Sequence, residues 1–195
     1  PSVWGLDVSR FGNDKTALCK RQGSIVTEVR SWSGLDLMQT VGRVVAEYES
    51  LLPSKRPREI LVDSIGLGSG VVDRLRELEL PVRGINVAEA PSMGATYLNL
   101  RSELWFKTKG WFEDRACKLP KDDQLLAELT GIRYSFTSSG KMKAESKDEM
   151  RKRGLASPDL ADALCLTMAS DAATALSGAF SSWKGEIKRN LRGIA

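Results

Sequence analysis

Three aspartates stand where regular elements are predicted to begin or end, beside apolar residues. Asp7 ends one apolar run, Asp63 ends another, and the third is an aspartate of the 157–162 stretch, at the start of a late helix. A carboxylate in such surroundings is costly unless it is paired or bound to a metal ion. Carboxylate oxygens suit Mg²⁺ and Mn²⁺. Two such ions about 3.5 to 4 Å apart can activate a water and stabilise the departing oxygen of a phosphodiester.

The composition removes most other catalytic chemistry. The chain of 195 residues has no histidine, which excludes Ser-His triads, Cys-His dyads and histidine-bound zinc. Cys19, Cys117 and Cys165 form no C-x-x-C pair. We therefore expect all three thiols to be in the reduced state and to serve as packing residues. The net charge of +4 suits a polyanionic partner, although 25 acidic residues offset 29 basic ones and charge alone decides little.

Taken singly, each aspartate has a simpler interpretation. Aspartates at strand ends usually cap turns through their own backbone. Asp7, Asp63 and the acidic residues of the 157–162 stretch nevertheless follow one another on a strand hairpin, a crossover strand and a late helix start. This order favours a shared metal site over three unrelated caps.

Apolar periodicity and turn residues predict alternating strands and helices. The first three strands should be antiparallel, and a strand-helix-strand crossover should follow. The predicted strands are 3–8, 16–19, 25–32, 59–63 and 82–87, with a hairpin over 132–136 and 141–144. The predicted helices are 37–52, 71–79, one from 100 through 111, 122–129, and one from 157 to about 176, with a glycine-rich turn at 66–70 and a loop at 88–99.

Four segments resemble, in order, the signatures of phage terminase large subunit nuclease domains. They are 5–16, 62–73, 147–150 and 157–164, and the likeness extends from residue 3 to about 175. The resemblance implies an α/β, ribonuclease H-like fold: a central mixed sheet of three antiparallel strands followed by parallel strands, flanked by helices, with an added β-hairpin. It also implies a metal-dependent DNA endonuclease that uses two Mg²⁺ or Mn²⁺ ions.

The resemblance also assigns roles by position. Asp7 becomes the first-strand acid, Asp63 the fourth-strand acid and Asp159 the helix-start acid, all three catalytic and metal-binding. Asp162 lies three residues after Asp159, close to the same helix face, so either or both could reach a metal ion. We give Asp159 the greater weight and keep Asp162 as a possible second ligand or helix-face residue.

Several charged residues follow the predicted hairpin or lie on it. Lys141, Lys143 and Lys147 are candidates for DNA contact, and Asp148 is a candidate near the site. A solvated, charged helix turn is the simpler interpretation of residues 147–153.

The resemblance extends to organisation and partners. We expect a nuclease domain over 1–178 and a basic tail over 179–195 that docks on the portal. No G-x-x-x-x-G-K-[ST] loop is present, so the N-terminal ATPase motor of such terminases is expected to be absent from this chain. The expected partners are double-stranded DNA, the portal protein and the small terminase subunit, in the host cytoplasm and transiently at the procapsid. No membrane span is expected, because no apolar run approaches about 18 residues.

Other classes remain open. An actin-like or sugar-kinase-like ATPase also opens with an aspartate on a first strand, and nucleotide binding would reveal it. A Holliday-junction resolvase or a transposase-like nuclease would share the fold. A non-catalytic module that docks on DNA or a portal would leave the acids structural, and metal-dependent DNA cutting would exclude it.

Overall fold

A mixed five-stranded sheet forms the centre of the chain in a computed structural model that describes residues 1–9 and 14–170. The strands lie in the order β3-β2-β1-β4-β5. Their bounds are β1 Ser2–Asp7, β2 Thr16–Gln22, β3 Ile25–Trp32, β4 Glu59–Asp63 and β5 Val82–Ile85. β1 to β3 form an antiparallel meander, whereas β1, β4 and β5 run parallel. The predicted fold class, a mixed sheet of three antiparallel strands followed by parallel strands and flanked by helices, is confirmed.

Helices cover both faces of this sheet. Because strand side chains alternate between faces, Trp4 and Leu6 pack with α1 and α2, while Val3 packs with α3 and α6. Asp7 therefore belongs to the α6 face. The helices are α1 Leu37–Glu49, α2 Leu67–Glu77, α3 Leu100–Glu113, α4 Asp123–Gly131, α5 Lys147–Lys152 and α6 Asp159–Leu166. Short 3-10 helices span Pro53–Lys55 and Thr167–Ala169.

Two glycines let helices approach strand ends closely. A Cβ on Gly5 would lie 2.0 Å from the carbonyl oxygen of Ala163, so α6 can cross β1 only because position 5 has no side chain. A Cβ on Gly68 would lie 1.7 Å from the carbonyl oxygen of Asp63. Both contacts bring helix backbone to the strand residues that precede or carry the predicted acids.

The helix boundaries differ in places from those predicted. α2 begins at Leu67 and not at 71, because the glycine-rich segment forms its first turn behind Gly66, whose φ is 67°. α6 begins at Asp159 and not at 157, and no side-chain hydrogen bond caps its start. Its predicted extension to 176 and the tail at 179–195 lie outside the described residues.

A separate hairpin lies between α4 and α5. β6 (Tyr134–Phe136) and β7 (Met142–Ala144) form a two-stranded antiparallel sheet, as predicted, although each strand is shorter than expected. Tyr97 bridges to Met142, which ties the loop before α3 to β7.

Among the helices of the described part, none is long and apolar enough to span a membrane.

Candidate metal centre

Asp7 and Asp63 end two neighbouring parallel strands. The register pairs Leu6 of β1 with Val62 of β4, so the next residue on each strand is one of the two aspartates. The side chain of Asp7 is buried, and that of Asp63 accepts a hydrogen bond from the backbone N–H of Ile65 at 3.1 Å. Parallel strands thus bring both acids to the same edge of the sheet, as the sequence predicts.

Asp159 and Asp162 lie in the first turn of α6, and both are buried. The contact between Gly5 and the carbonyl oxygen of Ala163 packs the following turn of α6 against β1. Oδ2 of Asp159 accepts a hydrogen bond from the backbone N–H of Lys15 at 2.8 Å, which ties the helix to the start of β2. The helix therefore adds two more carboxylates beside Asp7.

One ammonium group lies among these carboxylates. Nζ of Lys147, the first residue of α5, lies 2.8 Å from Oδ2 of Asp7 and 3.1 Å from Oδ1 of Asp159. It lies 3.6 Å from Oδ2 of Asp162. The interpretation of residues 147–153 as a solvated turn fails for Lys147, whose side chain is only 30% exposed. The site as folded is a cluster of acids arranged around one cation.

Burial and charge shift the pKa values in this cluster. Burial raises the pKa of Asp7 to about 7; the Lys147 ammonium lowers it and the neighbouring carboxylates raise it further. Burial also raises the pKa of Asp63. For Lys147, burial alone would lower the pKa, but Asp7, Asp162 and Asp159 together raise it. Lys147 therefore stays charged. Its single positive charge does not balance the negative charges of the neighbouring carboxylates.

Asp162 is held in place by two residues of α3. Nε1 of Trp105 donates to Oδ1 of Asp162 at 2.7 Å, and the Arg101 guanidinium approaches the same oxygen at 3.0 Å. Arg101 also lies 3.3 Å from Oδ2 and donates to the carbonyl oxygen of Glu145 at 2.6 Å. Oδ1 of Asp162 thus has both of its lone-pair positions used by donors that belong to the fold.

The cavity wall and the hydrogen bonds favour different acids as the third ligand. A cavity of about 230 Å³ is lined by Asp7, Asp63 and Asp162, but not by Asp159. The hydrogen bonds favour Asp159, because among the described residues its Oδ1 contacts only the ammonium of Lys147, whereas Asp162 is held by Trp105 and Arg101. We give the hydrogen bonds more weight, since an oxygen must have a free lone pair to coordinate a metal ion.

The donor set suits a hard divalent cation. Four carboxylates converge here, and an ammonium ion already occupies the position between three of them. Across residues 1–9 and 14–170, no three acids lie close enough together to hold a metal ion. The residues therefore fit Mg²⁺ or Mn²⁺ on condition that Lys147 moves aside and the carboxylates close in.

The other predicted residues lie at different distances from the site. Lys143 lines the cavity and its Nζ lies 2.7 Å from Oε1 of Glu149, while Lys141 is not among the lining residues. Asp148 points away: its side chain is 82% exposed and pairs with Arg151. The structure thus brings Lys147 into the site, Lys143 to its wall, and leaves Asp148 outside.

Arg101 and Trp105 carry roles that the sequence does not reveal. Arg101 looks like one of several surface cations, and Trp105 like a core residue. Their separation of four residues does place them on one helix face. Only the packing of α3 along α6 shows that this face meets Asp162.

Solved structures of phage nucleases share this architecture. The nuclease domain of the large terminase subunit gp2 of bacterial virus Sf6 superposes with a TM-score of 0.74 at 22% identity, covering 87% of this chain and 88% of that one. The chain has the fold of the large terminase nucleases. The large terminase nuclease of thermophilic phage G20c gives a TM-score of 0.66 at 18% identity, over 85% of this chain and 79% of that one. No family model and no curated protein matches the sequence.

The predicted resemblance is thus confirmed at the level of the fold. One similar structure is a lysine-to-alanine mutant of the Sf6 domain with manganese, and G20c structures contain bound magnesium or cobalt. Those ions belong to those proteins.

Proposed function

We propose that this terminase-like domain is a divalent-metal-dependent endodeoxyribonuclease that cuts concatemeric viral DNA during genome packaging. The observation that carries the proposal is the convergence of Asp7, Asp63 and Asp159 from two strand ends and a helix start upon one site that already holds a cation. The metal ions in nuclease structures of the same fold support it.

Asp7, Asp63 and Asp159 are proposed to hold two Mg²⁺ or Mn²⁺ ions, with Asp162 as a further candidate ligand. Bound ions of this kind polarise a phosphodiester, activate a water and stabilise the departing oxygen. The chain supplies oxygen donors on regular elements, which limits the reorganisation needed to bring the carboxylates to the ions. The hydrogen bonds of Asp162 to Arg101 and Trp105 give it chiefly a positioning role for α6.

Lys147 is proposed to substitute for the missing positive charge when no divalent ion is bound. Its ammonium pairs with Asp7 and Asp159, the same oxygens that a metal ion would require. Since its side chain is 30% exposed, it can turn toward solvent without breaking the core. Metal binding would then replace the Lys147 ammonium at the carboxylates with divalent ions from solution.

DNA is proposed to approach over the hairpin. Lys143 lines the cavity beside the acids, and Lys141 lies immediately before β7, two residues ahead of Lys143. Contacts of these lysines, and of Lys147 once it leaves the acids, with phosphates would position the duplex without reading its sequence. We therefore expect weak sequence preference in cutting.

The wider setting follows from the fold likeness alone. We propose that the intact enzyme works on double-stranded DNA with a portal protein and a small terminase subunit, in the host cytoplasm and transiently at the procapsid. In that setting residues 1–178 would act as the nuclease and 179–195 as an appended tail.

Plasmid cleavage tests the proposal. The chain should nick or linearise supercoiled DNA with Mg²⁺ or Mn²⁺, and stop when EDTA is present in excess. Asp63→Asn should abolish cutting, because that carboxylate lines the cavity and makes no ion pair within the described residues. Asp148→Asn is the matched control, since the exposed carboxylate of Asp148 lies outside the cavity.

Two results would contradict the proposal. Undiminished cutting in EDTA would remove the metal from the mechanism. Equal cutting by Asp63→Asn and Asp148→Asn, with both proteins folded by circular dichroism, would show that Asp63 caps a turn and nothing more.

A further inference from the structure

One buried carboxylate lies outside the acidic cavity, on α4. Glu128 is 9% exposed and does not line that cavity. Within the described residues its oxygens meet hydrogen-bond donors and no lysine or arginine. A buried carboxylate without a counter-ion is costly, and an apolar side chain of similar size would avoid the cost. The acid therefore indicates a role that an apolar residue at this position could not fill.

Both oxygens of Glu128 accept hydrogen bonds, and one of the two donors belongs to α6. Oε2 accepts from the backbone N–H of Ala161 at 3.0 Å. Oε1 accepts from Nε2 of Gln124 at 2.8 Å. Gln124 lies one turn earlier on α4, so its amide orients the carboxylate. Glu128 thus joins α4 to the first turn of α6.

The first turn of α6 has no cap from its own sequence. Pro158 precedes the helix, and no side-chain hydrogen bond caps the start. The hydroxyl of Ser157 is buried and has no hydrogen-bond partner among the described residues. A serine or aspartate directly before a helix usually accepts from the N–H of the second or third helical residue, and the third residue here is Ala161. Glu128 supplies from α4 the acceptor that the local sequence lacks, and its negative charge suits a helix N-terminus.

This turn carries Asp159 and Asp162, the two acids that α6 brings to the site. The backbone N–H of Lys15 binds Oδ2 of Asp159 at 2.8 Å, and Glu128 binds the helix backbone two residues further on. The start of α6 is therefore attached to β2 by one bond and to α4 by the other. Without the second bond, the first turn could fray, and a reacting group misplaced by about 1 Å can cost about 100-fold in activity.

We propose that Glu128 is a positioning residue for the metal site, because its carboxylate caps α6 and so holds Asp159 where it can bind a divalent ion. This role rests on the proposed function of the domain as a metal-dependent nuclease. Glu128 acts through the backbone of α6 and touches no ion itself. Residues that orient metal ligands in this indirect way typically contribute about 10- to 100-fold to metal affinity or activity.

Two variants of equal side-chain length isolate the hydrogen bond. Glu128→Met has no oxygen, whereas Glu128→Gln keeps one carbonyl oxygen that can accept from the N–H of Ala161. Calorimetric titration with Mn²⁺ alone should show at least about tenfold weaker binding by Glu128→Met and recovery of most of the wild-type affinity in Glu128→Gln. The Mn²⁺ concentration that gives half-maximal plasmid cleavage should rise by the same factor in Glu128→Met.

Val44→Ala is the control that separates positioning from a loss of stability. Val44 is fully buried on the opposite face of the sheet, among residues of α1 and α2. Its truncation should destabilise the protein without contact to α6, and the Mn²⁺ affinity should remain that of wild type. Should Glu128→Met fail to fold, Glu128→Asp replaces it. Aspartate keeps the charge but draws the carboxylate back from Ala161, so the same loss of affinity is expected.

Hydrogen exchange of the Ala161 amide, followed by NMR in the metal-free protein, measures the contact itself. Exchange should be at least about tenfold faster in Glu128→Met than in wild type or Glu128→Gln. Unchanged exchange or unchanged Mn²⁺ affinity in Glu128→Met would overturn this role alone, as would an equal loss of affinity in Val44→Ala or no recovery in Glu128→Gln. A wild-type protein that binds no Mn²⁺ would overturn the proposed function and this role together.

Discussion

Replacing Asp7 by asparagine should change how the stability of the metal-free protein depends on pH. Burial raises the pKa of Asp7 to about 7 in the folded chain, against 3.8 for the ordinary group. Between these two values the folded state therefore binds more protons than the unfolded state. The stability contributed by this group is greatest at low pH and is lost as pH rises through about 7.

The magnitude follows from the two pKa values. At pH 5 the protonated Asp7 contributes about 2.7 kcal/mol relative to its ionised form, and at pH 8 almost nothing. Wild type should thus lose about 2.5 kcal/mol between pH 5 and pH 8 through this residue. Asp7→Asn cannot ionise, so it should lack that loss and gain stability over wild type as the pH rises.

Urea unfolding at pH 5, 6, 7 and 8, with a chelator present, measures the effect. Asp148→Asn is the control, because Asp148 is exposed and should follow the wild-type profile. The free energies of unfolding of Asp7→Asn and wild type could instead run parallel across this pH range. Asp7 would then titrate as an ordinary carboxylate, and the buried cluster of acids described above would not be present in solution.

Other predictions concern the same cluster. Lys147→Ala should bind Mn²⁺ at least about tenfold more tightly than wild type in calorimetry, because no ammonium competes for the carboxylates; unchanged affinity would show that Lys147 does not occupy the metal position. Asp159→Asn should reduce plasmid cleavage more than Asp162→Asn, whose oxygens are held by fold residues, and the reverse order would exchange their roles. Alanine at both Lys141 and Lys143 should weaken DNA binding and lower its salt slope by up to about two with metal binding unchanged; an unaltered salt slope would remove the hairpin from the DNA path.

The sequence carries the order of the elements because that order depends on local patterns. The short apolar runs of β1 and β4, bounded by turn residues, and the period-3.6 stripe of α1 are visible in short windows. The placement of Asp7 and Asp63 at one site follows directly, since the ends of adjacent parallel strands meet at one edge of the sheet. The resemblance adds the helix-start acids, because their segment is short and distinctive.

Residue contacts between distant parts of the chain were not predictable. Lys147 lies 140 positions from Asp7, and its charged neighbours are typical of a solvated turn. Arg101 meets Asp162 only because Gly5 admits α6 to the sheet and α3 packs along α6. The competition that we propose between Lys147 and a metal ion has no signature in a single sequence.

Anomalous diffraction from crystals of the Lys147→Ala chain soaked in Mn²⁺ tests the central claim most directly. The account predicts manganese peaks bound by oxygens of Asp7, Asp63 and Asp159, with Asp162 still hydrogen-bonded to Trp105. Two results would contradict the assignment of this cluster as a metal centre. One is manganese bound away from these carboxylates; the other is the absence of any ion at saturating Mn²⁺, with the carboxylates in unchanged positions.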